Sequence, residues 1–425
     1  MIQPKLYNLS NGIPVIIDSL PNSESVSVGV YIKTGSRNES DQRDFGISHL
    51  LEHMALKGTA SRSAIDIAVP IENVGGNSNA YTGFSRTAYH ATVPKAHRNL
   101  VVDILADVVR NPSFPADEFE REKMVVVQEL HEYDDMPDAV IENRLCDAVF
   151  RGGMQHDIGG TIDTVMAMTR DQMAEFYRAR YGAAHSALVL SGGGLQDHDA
   201  VLEEVEKHFG GWHAGNAPEY QPSTYVTALR HTQRPELSHT YFRIAWPSRP
   251  ALIRGDLVAQ DMALSVLGSG FGSRLFQEIR EKRGLVYGIG TDGMFYEDVG
   301  IATINAQTEK AKMDETVRTV AELVRKIKDG AAPLTAAELL RAKEMTKGGL
   351  LMGLETSRRR ADYFAARCIH YGGIDDMREN IAAIESVTLD QANAAAHELL
   401  RNKPSIITLG VEHELPLEEW QGLFE

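Results

Sequence analysis

Thr169-Arg170-Asp171-Gln172, with the apolar run Ala187-Leu188-Val189-Leu190 and the glycines beyond it, decides how this chain is read. A threonine with glutamine three positions on is a helix start, in which each side chain satisfies the other's backbone amide. The apolar run after it reads as a buried strand. Far downstream the same order returns: Thr388-Leu389-Asp390-Gln391 opens a helical stretch that leads to Ile406-Ile407-Thr408-Leu409-Gly410. The strands upstream match as well. Val26, Val28, Val30 and Ile32 alternate with other residues, as a half-buried strand requires, and Tyr241-Phe242-Arg243-Ile244-Ala245-Trp246 is their counterpart. The expected fold class is α+β in two related halves, 1–212 and 239–425. The polar stretch 213–238, with its glycines and prolines, reads as the linker.

The rest of the composition narrows the function. Hydrophobic residues make up 43% and charged residues 24% of the 425 positions, the balance of a soluble globular protein too long for one ordinary core. No apolar run approaches the roughly 18 residues of a membrane span, so membrane insertion is not expected. The formal net charge of −16 argues against nucleic acid and anionic membranes as partners, and fits either a cationic substrate or plain solubility. Met1-Ile2-Gln3-Pro4-Lys5 has neither the basic-then-apolar form of a secretion signal nor that of an Arg-rich transit peptide. Cytoplasm is the expected location, unless a presequence was removed. Cys146 and Cys368 sit in apolar helical contexts and read as buried free thiols.

Chemistry enters with His49-Leu50-Leu51-Glu52-His53. On a helix over 44–56, closed by Lys57-Gly58, the two histidines four apart share a face and can hold one ion. Glu52 lies on nearly the same face, placed to take a proton from a water on that ion. The H-x-x-E-H order is the inverzincin pattern. Two histidines do not complete a catalytic zinc site, which takes three protein ligands. Glu122 and Glu129 lie seven apart on a helix expected over 116–133, where Phe119, Met124, Val126, Val127 and Leu130 recur at helical spacing. An ordinary surface stripe of carboxylates is the alternative reading of that pair. Between these segments, 64–74 reads as a helix ended by Gly75-Gly76, with a kink or break at Pro70. Asn79-Ala80-Tyr81 and Thr87-Ala88-Tyr89-His90-Ala91 read as strands.

Ser48-His49-Leu50-Leu51-Glu52-His53-Met54-Ala55-Leu56-Lys57-Gly58-Thr59 resembles the motif block of the pitrilysin-family inverzincin peptidases, in particular the mitochondrial processing peptidase-like branch. Gly75-Gly76-Asn77-Ser78-Asn79-Ala80-Tyr81-Thr82 and Phe119-Glu120-Arg121-Glu122-Lys123 with Gln128-Glu129-Leu130 carry the same resemblance. It covers essentially the whole chain and is most specific in the first 140 residues. It implies duplicated domains, each a sheet covered by helices, forming a clam-shaped chamber. It further implies one Zn2+ per chain on His49, His53 and Glu129, Glu52 as general base, and Glu122 orienting a ligand. Two neutral imidazoles and one carboxylate leave such a site at +1, suited to acidifying water and polarising a carbonyl.

In Ser273-Arg274-Leu275-Phe276-Gln277-Glu278-Ile279-Arg280-Glu281-Lys282-Arg283-Gly284-Leu285-Val286-Tyr287, the resemblance makes Arg280 and Tyr287 the pair that grips substrate and steadies the oxyanion. Arg283 rivals Arg280 for that role. Asn79 and Ala80 resemble the family's edge strand, which binds substrate by adding its backbone to the sheet. The short turn of Gly268, Gly270 and Gly272 lacks the Gly-Lys-Ser/Thr of a phosphate loop. Ser85 stands where relatives carry a carboxylate, so altered substrate contacts are expected there. The implied function is a zinc endopeptidase acting on short or unfolded peptides, basic ones included, as a homodimer. The alternatives are a non-catalytic scaffold, as in relatives that are core subunits of a respiratory complex, and a catalytic subunit that needs a partner chain.

Overall fold

The structure is a computed structural model and describes residues 3–215, 220–251, 254–411 and 415–425. Its contacts divide into two compact units. One comprises Met1–His131, His156–Gln221 and Leu351–Met377; the other comprises Glu132–Gln155, Pro222–Leu350 and Arg378–Glu425.

The first unit is built on a six-stranded sheet of β1 (Lys5–Asn8), β2 (Pro14–Ser19), β3 (Ser25–Ile32), β4 (Asn77–Thr82), β5 (Thr87–Pro94) and β6 (Ser186–Gly192), in the order β1-β2-β6-β3-β5-β4. All neighbours are antiparallel except β2 and β6. β4 pairs with β5 alone and forms an edge, with Ala80 opposite Tyr89 and Thr82 opposite Thr87. One face of the sheet packs against the helices α1 (Ile47–Ala55), α2 (Ala64–Asn73), α3 (Arg98–Arg110), α4 (Ala116–Asp134) and α5 (Arg170–Arg180). Leu50, Leu51 and Met54 of α1 and Val28 and Val30 of β3 meet in that core. α6 (Ser357–Tyr371) covers the other face, setting Ala361, Phe364, Ala365 and Cys368 against Ile16, Tyr31, Ala88, Ala187 and Val189. β3 is therefore buried on both faces rather than on one. A strand so covered need not alternate in polarity.

The second unit repeats the plan. β7 (Leu229–Gln233), β8 (Thr240–Ser248), β9 (Ile289–Phe295), β10 (Gly300–Thr308) and β11 (Ser405–Gly410) run in the order β9-β10-β8-β11-β7. Only β11 and β7 are parallel. Read from the other edge, this order is that of β2-β6-β3-β5-β4, with the parallel pair in the same place. The protein is α+β, with two related domains. Helices Met313–Lys328 and Leu389–Leu400 help build the core on one face. Helix Pro137–Val149 lies against β8 and β11, where Arg243 pairs with Asp138 at 3.0 Å and with Glu142 at 3.2 Å.

Thr169 and Gln172, like Thr388 and Gln391, form reciprocal capping boxes at the starts of their helices. Cys146 and Cys368 are buried thiols outside any disulfide. α2 runs through Pro70 for another turn without ending. Pro70 sits in the last turns of a ten-residue helix that Ile67 and Ile71 anchor in the core. In α4 Phe119 and Val126 are buried, but Met124 is 56% exposed and faces solvent. The stretch 213–238 is not all linker: it holds β7, and Thr224–Tyr225 pairs with Phe150–Arg151. Polar Arg230, His231 and Thr232 gave β7 no strand-like alternation, and its place rests on main-chain pairing along β11. Part of that stretch, 216–219, lies outside the described residues.

Candidate metal centre

α1 is short, and both of its ends are held. Gly46 caps its N-terminus at φ 93°, and a Cβ there would come within 2.5 Å of the carbonyl oxygen of Gly159. Glu39, buried, accepts the amides of Gly46 and Ser48 at 2.9 Å each, and so satisfies two donors that a helix start leaves open. Beyond the C-terminus, Lys57 reaches Glu122 at 2.7 Å. A helix fixed in this way presents the side chains at 49, 52 and 53 in one orientation.

His49, His53 and Glu129 each bring one ligand atom into a group spanning no more than 4.8 Å. His49 Nε2 and His53 Nε2 are each 3.6 Å from Glu129 Oε2. The outward atom of His53 is also engaged: its Nδ1 lies 3.1 Å from Glu122 Oε2. With Nδ1 donating to that carboxylate, the Nε2 lone pair is free for an ion. Glu122 is nearly inaccessible, held between His53 and Lys57. His49 Nδ1 is buried without a hydrogen-bond partner among the described residues. Burial, helped by the neighbouring His53, lowers the His49 pKa to about 4, so this imidazole is neutral as a metal ligand must be. Two imidazole nitrogens and a carboxylate oxygen converging on one point fit zinc's preferred donors.

Glu52 is the buried carboxylate beside this group. Burial pushes its carboxyl up, and a hydrogen bond from Thr82 Oγ1 to Oε2 at 2.7 Å opposes the shift. Asn79 and Ala80 lie in edge strand β4, where Asn79 Oδ1 accepts the Ala80 amide at 2.9 Å. Ser85, in the turn beyond β4, accepts a hydrogen bond from Arg37 Nη1 at 3.3 Å. In the second unit, Arg280 stands on a π-helix, Phe276–Lys282, a wide turn found often at functional positions. Its guanidinium lies 4.6 Å from the Phe276 ring centre and 5.1 Å from that of Tyr287, which is 80% exposed. The rival Arg283 is drawn instead to Glu278, at 3.1 Å.

Three residues of the centre were not singled out in the sequence. Thr82 could have been found by parity, since it shares a strand face with Ala80 two positions earlier. Lys57 lies four residues beyond His53, one helical turn. Glu39 offered no such signal, because its contacts lie across an irregular loop.

Comparison with known proteins gives the family and the fold. The model of the insulinase peptidases, family M16, matches residues 14–161, and that of the M16 inactive domain matches 167–346. An uncharacterized zinc protease of Mycobacterium leprae is 33% identical over 95% of this chain and 90% of its own length. One of Bacillus subtilis is 30% identical over 97% of this chain and 99% of its own. Among solved structures, a protease from Helicobacter pylori superposes with a TM-score of 0.87 at 23% identity, covering 96% of this chain and 99% of the other. A peptidase M16 inactive domain from Pseudomonas fluorescens does so with the same score at 21% identity, covering 98% and 100%. These two show the fold. No helix among the described residues is long and apolar enough to cross a membrane. By its full-length likeness to named zinc proteases and the domain models it matches in order, this chain belongs to peptidase family M16, the insulinase family.

Proposed function

We propose that this protein is a zinc endopeptidase that cuts short or unfolded peptides, basic ones included. His49, His53 and Glu129 hold one zinc ion and Glu52 is the general base. The observation that carries the reading is the convergence of His49 Nε2, His53 Nε2 and Glu129 Oε2 next to a buried carboxylate. Bound there, zinc supplies acidification of a water and polarisation of the scissile carbonyl.

The chain's own residues do the rest. Glu52 Oε2 is occupied by Thr82, which leaves Oε1 to take the proton from the attacking water and return it to the departing amine. Glu122 keeps the His53 ring in its tautomer and orientation. The open edge of β4 receives an extended peptide by main-chain pairing, and a substrate carbonyl replaces Asn79 Oδ1 at the Ala80 amide. Arg280 and Tyr287 are assigned the grip on substrate and the stabilisation of negative charge on the carbonyl oxygen. Ser85 in place of a carboxylate changes contacts to substrate and leaves the chemistry intact. The same reading takes the protein as a cytoplasmic homodimer of duplicated chains.

The test is cleavage of an internally quenched, unstructured basic peptide by the zinc-loaded wild type and Glu52→Gln. General-base catalysis is worth about 10²–10⁴-fold, and the variant is expected to lose that much in kcat with zinc still bound. Equal rates would remove Glu52 from the mechanism. No cleavage by either protein would favour a scaffold or a subunit that needs a partner chain.

A further inference from the structure

We propose that Thr82 is a positioning residue for Glu52, tying the general base to the edge strand that receives substrate. The inference rests on the reading of Glu52 as base, and it adds a link within the chain that neither the motif nor the metal cluster contains.

The geometry is specific. Thr82 ends β4, and its hydroxyl donates to Glu52 Oε2 at 2.7 Å. The Glu52 carboxylate has no other hydrogen bond among the described residues, and the residue is only 8% exposed. A buried carboxylate with one donor takes its orientation from that donor. The donor is itself fixed. β-Branching limits the rotamers of Thr82, and its backbone pairs with Thr87, whose buried hydroxyl is anchored on the carbonyl oxygen of Thr34 at 2.9 Å.

With Oε2 held in this way, Oε1 is the oxygen available for proton transfer. Alternation along β4 puts Thr82 on the same face as Ala80, so the strand offers its backbone edge to a peptide while one side chain aims the base. Valine at 82 keeps shape and strand propensity but removes the donor, leaving a buried carboxylate unsatisfied.

The experiment compares wild type, Thr82→Val and Thr82→Ser in zinc content, kcat and KM on the quenched peptide. A hydrogen bond to a charged group is worth enough to set kcat by about 10–100-fold. Thr82→Val is expected to lose that much in kcat, with KM within about twofold and zinc content at wild-type level. Thr82→Ser, which restores the hydroxyl, is expected to recover most of the rate. A rise in KM at constant kcat would make Thr82 a substrate contact instead, and loss of zinc or failure of serine to rescue would also overturn the proposal.

A second readout needs no turnover. In metal-free protein, Thr82→Val is expected to change the melting temperature in the wild-type background and to leave it nearly unchanged in a Glu52→Ala background. Equal shifts in both backgrounds would show that the two side chains are not coupled, whatever the enzyme does. A wild type that cuts nothing would instead sink the peptidase reading, and the melting comparison would still decide the contact.

Discussion

Glu122 shows how much of the centre depends on a residue that is not assigned as a ligand. It is almost fully buried, with one oxygen 3.1 Å from His53 Nδ1 and the other 2.7 Å from Lys57. Replacing it with glutamine keeps the volume but puts an amide donor against either the ring N–H or the lysine. The His53 ring then loses the partner that fixes its tautomer. Partners of metal-bound histidines typically change metal affinity about 10–100-fold, and Glu122→Gln is expected to weaken zinc by that amount in a competition titration with a chelator. Glu129→Gln, which replaces the carboxylate that faces both Nε2 atoms, should cost more. Unchanged affinity in Glu122→Gln would show that the ring is held by α1 alone. Sequence spacing exposed both carboxylates as one helix face and could not rank them, because a seven-residue interval fixes the side of a helix and says nothing about what lies opposite each turn. Thr82 stayed unread for a related reason: its contact with Glu52 spans 30 positions and depends on strand register.

At the scale of elements, helix ends were the most legible part of this chain. The boxes at Thr169 and Thr388 are local, each closed within four residues, and local patterns survive folding. A third end, at helix Ala336–Gly353, combines a local cap with a distant partner. Glu338 accepts Thr335's amide and hydroxyl, and Arg274 bonds both of its oxygens at 2.7 Å. The Arg274 guanidinium does most to lower the Glu338 carboxyl from 4.5 to about 2. The folded state therefore holds this group ionised where the unfolded chain would protonate it. The resulting stability is present above about pH 4.5 and is lost as pH falls toward 2. Arg274→Ala is expected to melt earlier at neutral pH and to lose less additional stability than the wild type between pH 4.5 and 2. Parallel melting curves against pH for the two proteins would exclude the pair as a source of acid sensitivity. Elements without a local signal behaved differently: β7 is polar and is a strand only because β11 lies beside it.

Over the whole molecule, the duplication could be read from recurring strands and caps, but the makeup of each compact unit could not. α6 lies within the second half of the sequence, yet it belongs with the first sheet, where Arg360 bonds both oxygens of Asp18, 342 positions away. Ser191 also donates to that carboxylate, and Ser357 meets Ser27 at 2.8 Å. Sequence patterns report which face of a helix is apolar, not which sheet will cover it. This arrangement gives a prediction about fragments. A chain of residues 1–215 holds every strand of the first sheet but lacks α6, and would leave Ile16, Tyr31, Ala88, Ala187 and Val189 facing water, with Asp18 buried beside no cation. An apolar sheet face of that kind drives aggregation, and an unpaired buried carboxylate is strongly destabilising. The fragment alone is expected to lack a cooperative melt, whereas the same fragment with 351–377 appended through a flexible linker should regain one in circular dichroism. Cooperative melting of 1–215 by itself would show that α6 merely rests on a sheet already stable without it. If only the appended form melts cooperatively, the first unit needs a segment of the second half of the sequence to fold.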